Sequence, residues 1–110
     1  MIKQLKKALV YLFLMVLALP SQGQTSDFNT NILGLYLEAE NAFNEDDYTQ
    51  AFKLYQQIIA IDENYDPALF QMARIHLFSN EVDEALVKAE KAYNLDKENE
   101  MYSFLLVDIY

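Results

Sequence analysis

Few side chains in the sequence could carry out acid–base or metal chemistry. His76 is the single histidine of the chain, and there is no cysteine. A zinc-type site takes several nitrogen or sulfur ligands, so one histidine does not predict such a site. His76 lies in the apolar stretch Ile75–Phe78, which indicates a histidine packed against other helices rather than a catalytic base. We therefore expect no metal site and no cofactor.

Acidic residues form three short clusters, whose carboxylates could bind a cation or transfer protons. The clusters are Glu45–Asp47, Asp62–Asp66 and Glu81–Glu84. The middle cluster lacks the glycine and the downstream glutamate of a calcium-binding loop. All three lie at the starts of segments with helical periodicity or in the turns before them, where negative charge is stabilised by the helix dipole. Because phosphate-binding and nucleophile motifs are also missing from the sequence, we predict that the chain is not an enzyme.

The first 23 residues have the pattern of a secretory signal peptide. Three lysines precede an uninterrupted apolar run at residues 8–19, and Pro20, Ser21 and Gly23 follow it. The run is shorter than the roughly 20 apolar residues that cross a membrane, and the small residues after it fit a cleavage site. We expect cleavage after Gly23 and an exported protein, whether periplasmic, outer-membrane-associated or secreted. An uncleaved N-terminal anchor is the alternative.

Removal of the signal peptide makes an acidic chain more acidic. The full chain has a formal net charge of −9; without the three N-terminal lysines, five cations stand against all 17 acidic residues, which gives −12. Such a surface repels phosphate groups, so we expect no nucleic-acid partner. The charge either serves solubility alone or attracts a basic partner, and the sequence leaves both interpretations open.

After a polar linker at residues 24–31, hydrophobic periodicity predicts five helices with short connections. Apolar side chains recur at helical spacing, as Ala51 and Tyr55 do. Connections of about two to five residues force neighbouring helices to pack antiparallel. Asp47 and Asp66 are the expected N-caps of two of the helices. The predicted helices are 30–44, 47–61, 66–79, 82–95 and 100–110.

Two parts of the predicted helical region align with each other without a gap at a spacing of 34 residues. Only four aligned positions are identical, but they and the apolar replacements lie where contact between helices needs them. Internal similarity at this period is typical of stacked helix-turn-helix units. The identical pairs are Leu35 and Leu69, Ala39 and Ala73, Ala51 and Ala85, and Asp62 and Asp96.

The segment DDYTQAFKLYQQIIAIDENYDPALF carries the features of a second helix and its link to the next unit. It has the small Ala51 at the expected helix crossing, the aromatic Tyr55 one turn later, and Asp62 at the end. In these features it resembles the tetratricopeptide repeat family. The resemblance implies an all-α fold, an α-solenoid of antiparallel helix-turn-helix repeats that contains about two and a third units after the signal peptide. These units are 32–65, 66–99 and the first helix of a truncated third repeat at 100–110.

A third unit that stops after its first helix leaves an apolar face without a covering helix. Solenoids of this kind usually end in a unit with a polar outer face, and residues 100–110 have no such face. We therefore expect the sequence to be the N-terminal part of a longer protein. A chain whose exposed last helix dimerises is the alternative.

The resemblance implies a non-catalytic scaffold that binds a protein or peptide partner, because the first helices of this family line a concave face. An aromatic-rich groove with few charges suits an apolar or helical peptide segment. Alternatively, Phe43, Leu77 and Phe78 simply pack between helices. The groove residues carried over from the family are Tyr36, Glu40, Phe43, Asn44, Phe70, Arg74, Leu77, Phe78, Phe104 and Asp108.

One ligand of the family is not expected here, and two other roles stay open. Family members that bind chaperone C-terminal carboxylates use a lysine and an asparagine where this chain has Tyr36 and Glu40, then Phe70 and Arg74. The repeats could be the docking or sensor region of a larger envelope protein with an enzymatic or membrane-associated domain beyond residue 110. They could also be a structural subunit of an envelope assembly. Membrane contact is expected only through an uncleaved signal peptide or such a further domain.

Overall fold

A computed structural model describes the backbone of residues 26–110 and the side chains of residues 31–110. The predicted signal peptide at residues 1–23 and its cleavage site lie outside the described residues. Residues 31–110 form one compact unit. Among the described residues, no helix combines the length and the apolar character that a membrane span requires.

Every regular element in the described part of the chain is an α-helix, as predicted. The bounds of the last four helices agree with the prediction to within one residue. The first helix begins at Ser26, so most of the segment predicted as a polar linker at 24–31 is helical. Its polar residues lower helix propensity only slightly, and no proline or glycine lies between Ser26 and Gly34 to interrupt the helix. The helices are α1 (Ser26–Asn44), α2 (Tyr48–Ile61), α3 (Asp66–Phe78), α4 (Val82–Leu95) and α5 (Glu100–Ile109).

The turn inside each of the two complete repeats has the same backbone conformation. Asp46 and Asn80, which are 34 residues apart, both have φ of 61°. The N–H of Asp47 donates to the carbonyl of Ala42 at 2.9 Å, and the equivalent bond of the second unit is 2.8 Å long. This is a Schellman ending, in which a left-handed residue lets the chain leave the helix with its last carbonyls satisfied. Aspartate and asparagine tolerate this conformation better than most residues with a side chain.

One of the two predicted N-caps is confirmed and the other is wrong. The Asp47 carboxylate accepts a hydrogen bond from the N–H of Gln50 at 3.2 Å, as expected. At the start of α3, however, Tyr65 is the N-cap and Asp66 is the first helical residue. The Asp66 carboxylate instead accepts a hydrogen bond from the Tyr102 hydroxyl at 2.8 Å, which connects α3 to α5. The side chain thus links two successive repeats rather than capping its own helix.

Small residues lie where the helices cross. Ala39, Ala51, Ala73 and Ala85 are all fully buried. Ala39 and Ala51 belong to one hydrophobic core with the large side chains of Tyr55 and Ile58. An alanine at a crossing lets the neighbouring backbone approach closely, so each helix buries its apolar stripe against the next. The repeat predicted from the spacing of identical residues is therefore also a repeat in packing.

The last helix is covered on one side only. Val107 occupies the same position in the 34-residue unit as Ala39 and Ala73 but is 71% exposed. In both earlier units a second helix follows the first, whereas none follows α5 in the described residues. Among the described residues, no helix therefore covers this apolar face of α5.

Candidate functional site

The three first helices, α1, α3 and α5, surround a cavity of about 330 Å³. Because they occupy equivalent places in successive units, residues at equivalent positions meet there. Four of the predicted groove residues line this cavity, and they come from the first two units. They are Tyr36, Glu40, Phe70 and Arg74.

A second cavity of about 300 Å³ adjoins the first along α3 and α5. Phe70, Arg74 and Met101 line both cavities. Phe104 and Asp108, the residues predicted from the third unit, line the second one. We call the continuous surface of the two cavities the groove. Its remaining lining residues are Pro67, Gln71, Asn99, Tyr102 and Leu105.

A chain of hydrogen bonds crosses the groove from α2 to α3. The Glu40 carboxylate accepts from the Tyr55 hydroxyl at 2.6 Å. The same oxygen, Oε1, accepts from the Gln71 amide nitrogen at 2.8 Å. The Gln71 amide oxygen in turn accepts from Arg74 at 2.8 Å. Gln71 is only 7% exposed, and both ends of its amide are satisfied.

Aromatic rings hold the guanidinium of Arg74. Its central carbon lies 4.7 Å from the centroid of the Phe43 ring, 5.8 Å from that of Phe70 and 5.9 Å from that of Phe78. A cation over an aromatic face is attracted by the quadrupole of the ring. The stacking and the bond to Gln71 together fix the guanidinium at the centre of the groove.

Tyrosine hydroxyls around the groove have raised pKa values. Burial, followed by the hydrogen bond to Glu40, raises the pKa of Tyr55 well above its ordinary value. Burial and the nearby charge of Glu40 raise the pKa of Tyr36. Burial and the hydrogen bond to Asp66 raise the pKa of Tyr102. The Tyr55 and Tyr102 hydroxyls stay protonated as donors, so they stabilise the carboxylates beside them.

The raised pKa values predict a loss of stability at alkaline pH. An unfolded tyrosine titrates near pH 10, so above that pH the unfolded chain releases protons that the folded protein retains. The tyrosine contribution is fully present below about pH 10 and is lost as the pH rises, at up to about 1.4 kcal/mol per pH unit for each hydroxyl. Denaturant unfolding at a series of pH values should show this fall. The Tyr55→Phe variant, which lacks one such hydroxyl, should show a shallower fall, and equal slopes would contradict the assignment.

Four predicted groove residues lie outside both cavities. Phe43 is 9% exposed, and its ring lies 5.3 Å from that of Tyr48, so it packs between helices. Phe78 is 55% exposed and lies at the edge of an aromatic cluster that it forms with Phe43 and Tyr48. Asn44 is exposed and Leu77 is half-buried. The structure thus brings six of the ten predicted residues together.

Six lining residues were not predicted from the sequence, and Gln71, Tyr102 and Met101 are among them. Gln71 is a polar residue between the apolar residues Phe70 and Met72, and such a residue at a buried position usually has a hydrogen-bonding role. That signal was present in the sequence. The places of Tyr102 and Met101 depend on how α5 packs against α3, and the repeat spacing alone does not fix that packing.

His76 packs against Phe52 of the neighbouring helix α2, as predicted for a packed histidine. Its ring lies 5.1 Å from that of Phe52 in an edge-on arrangement, and its Nδ1 atom is 3.5 Å from a Glu81 carboxylate oxygen. The described residues contain no cluster of histidine, cysteine and acidic side chains that could hold a metal ion.

The chain was compared with models of protein families and with curated proteins. A model of a protein family described as tetratricopeptide repeat matches residues 42–105, which is more than half of the chain. The matched segment begins near the end of α1 and reaches into α5, so it includes both complete second helices. A search among curated proteins finds no match.

Proposed function

Because the chain belongs to the tetratricopeptide repeat family, we propose that it is a non-catalytic scaffold that binds a segment of a protein partner in the groove. Repeats of this family generally mediate protein–protein interaction and are generally not enzymes. The observation that carries the proposal is the groove itself, which extends over the first helices of three successive units. Its apolar floor, formed by Met101 and Phe104, is exposed.

The exposed side chains of the groove suit contact with a peptide. Met101 is 59% exposed and Phe104 is 65% exposed, and both line the second cavity. Complete burial of one such side chain stabilises a complex by about 1.5–3 kcal/mol, before the costs of association. An apolar peptide side chain on this floor therefore supplies a substantial part of the binding free energy.

Peptide binding can be tested with two matched surface variants. Short random peptides are selected by display on the wild-type protein, and their affinities are measured for Phe104→Ala and Val87→Ala. Phe104 in α5 is 65% exposed and Val87 in α4 is 64% exposed, so neither change disturbs the core. We expect Phe104→Ala to weaken binding by about 1.5–3 kcal/mol and Val87→Ala to have no effect. Equal effects of the two changes, or no selected peptide, would contradict the proposal.

We also propose that the protein is exported, which the lysine-rich start and the apolar run at residues 8–19 support. Expression of the full chain in a bacterial host, followed by fractionation and mass analysis, tests this. The expected product begins at Gln24 and lies outside the cytoplasm, and it is periplasmic, outer-membrane-associated or secreted. A charge in the apolar run, as in Leu14→Arg, should block export. A cytoplasmic wild-type product that still carries residues 1–23 argues against a signal peptide.

A second candidate function is that of a docking or sensor region in a larger envelope protein with an enzymatic or membrane-associated domain beyond residue 110. The exposure of Val107, at the position where Ala39 and Ala73 are fully buried, supports a further helix packed on α5. Reading the coding sequence after the codon for Tyr110 tests this. A continuing helical segment with alanine at the place equivalent to Ala85 supports the candidate, and an immediate stop codon rejects it.

A further inference from the structure

We propose that Arg74 binds a carboxylate side chain located within the partner segment, and that Gln71 is the positioning residue that keeps Arg74 available for it. This inference rests on the proposed function, because it specifies what the groove recognises. It adds one requirement, namely an aspartate or glutamate in the bound peptide with apolar residues on both sides.

Arg74 has hydrogen-bonding capacity that the groove leaves unused. A guanidinium carries five N–H donors in a planar fork. Among the described side chains, the amide oxygen of Gln71 accepts a hydrogen bond from one nitrogen of the Arg74 guanidinium. No carboxylate of the described residues forms an ion pair with it. The Phe43 and Phe70 rings lie 4.7 Å and 5.8 Å from its central carbon, and the bond to Gln71 holds one of its nitrogens, so the remaining N–H groups have a restricted orientation. A fixed guanidinium edge matches the two oxygens of a carboxylate.

Gln71 separates Arg74 from the acid nearest to it in this hydrogen-bond chain. Its amide nitrogen donates to Glu40 and its amide oxygen accepts from Arg74, each at 2.8 Å. The Oε1 atom of Glu40 also accepts from Tyr55, so two hydrogen bonds, one from α2 and one from α3, hold that carboxylate. Without the amide, Glu40 and Arg74 could pair directly, and a ligand carboxylate would have to displace Glu40.

The place of Arg74 along the groove favours an internal carboxylate over the end of a chain. Arg74 lines both cavities, with Tyr36 beyond it in one direction and Phe104 in the other. A peptide that follows the groove therefore continues past Arg74 on both sides. The strongly acidic chain also favours a ligand group with a single negative charge over a phosphate, because long-range repulsion grows with the charge of the ligand.

Selected peptides can test this inference with a double-mutant cycle. Peptides from the display selection that contain an acidic residue are prepared with that residue changed to its amide, and they are titrated against wild type and Arg74→Gln. We expect the change to weaken binding to wild type at least about tenfold, which corresponds to about 1.4 kcal/mol. The same change should have little effect on binding to Arg74→Gln. Peptides amidated at the C-terminus should bind as well as those with a free end.

The Gln71→Met variant tests the positioning role while Arg74 stays in place. Methionine has a similar volume and no amide, so we expect the preference for the acidic peptide over its amide form to decrease, while apolar contacts with Phe104 persist. A circular dichroism spectrum and a thermal unfolding curve like those of wild type show that the variant folds. If it does not fold, the comparison of Arg74→Gln with Arg74→Lys, which keeps the charge but not the fork, takes its place. Arg74→Lys should then show a reduced preference for the acidic peptide.

The possible outcomes separate this inference from the proposed function. Selected peptides whose binding depends on Phe104 support the groove function. If these peptides carry no acidic residue, Arg74 does not bind a carboxylate. The same conclusion follows if changing the acidic residue to its amide weakens binding to wild type and to Arg74→Gln equally. Loss of binding on C-terminal amidation would show a terminal carboxylate and overturn the internal one. An unchanged preference in Gln71→Met would reject the positioning role. If no peptide depends on Phe104, the proposed function itself fails.

Discussion

The Tyr55→Ala variant is expected to lose about 3–5 kcal/mol of its free energy of unfolding. Tyr55 is fully buried in the core of the first repeat and is one of the largest side chains with no exposure. Its ring lies 6.1 Å from that of Tyr36, and its hydroxyl donates to Glu40. Truncation removes a buried ring, leaves a cavity between α1 and α2, and breaks a hydrogen bond at the groove. Since small domains are stable by only about 5–15 kcal/mol, this change removes a large fraction of the stability of the protein.

The Tyr55→Phe variant separates the ring from the hydroxyl. It keeps the packing and removes one hydrogen bond, while Glu40 retains the bond from Gln71. We expect a loss of about 0.5–1.5 kcal/mol. Denaturant unfolding of both variants supplies the measurement. If Tyr55→Ala and Tyr55→Phe cost the same, the ring does not pack as the structure has it.

The Ala51→Leu variant is expected to lose about 1–3 kcal/mol because it overpacks a helix crossing. Ala51 is fully buried and shares a core with Ala39 and Tyr55. A larger side chain there must push α1 and α2 apart or adopt a strained rotamer. The equivalent Ala85→Leu should have a similar effect, because Ala85 is also fully buried.

Ala60 provides a control in the same helix. Ala60 lies in α2 with its side chain exposed. Ala60→Leu therefore changes helix propensity by the same amount as Ala51→Leu but adds no side chain between two helices. Surface changes of this kind usually alter stability by less than about 0.5 kcal/mol. Thermal or denaturant unfolding of the two variants side by side measures the difference. A stable Ala51→Leu protein would refute close approach of the helices at this residue.

The helices and the repeat could be predicted from the sequence because they depend on neighbouring residues or on residues that recur every 34 positions. Apolar stripes, the cap at Asp47 and the matched alanines 34 residues apart are all visible without coordinates. The early start of α1 was missed because a polar composition indicates a linker, although it does not prevent a helix. Asp66 was misassigned because its choice between capping α3 and binding Tyr102 depends on the next repeat.

The groove could be predicted only in outline. Equivalent positions on the first helices predicted that Tyr36 and Phe70 lie near each other, and both line the first cavity. Hydrogen bonds through Gln71 and the stacking of Arg74 on Phe43 require the actual distance between α1 and α3, which the sequence does not contain. Phe43 lies in the aromatic cluster under Arg74 rather than on the groove floor, because its ring packs against Tyr48.

The groove contains both rigid and open parts, and this division matters for recognition. The chain from Tyr55 through Glu40 and Gln71 holds Arg74 in place before any ligand arrives. Groups fixed in advance lose less entropy when they bind, so more of their interaction energy appears as affinity. Phe104 and Met101, in contrast, are exposed and free to adapt to the shape of an apolar side chain.

Mapping a bound peptide onto the protein by nuclear magnetic resonance tests the central claim most directly. Backbone amide shifts of the isotope-labelled protein are recorded while a selected peptide is added. The account predicts that the largest changes occur in α1, α3 and α5, centred on Phe70, Arg74 and Phe104. Changes confined to the exposed faces of α2 and α4, such as the surroundings of Val87, would contradict it.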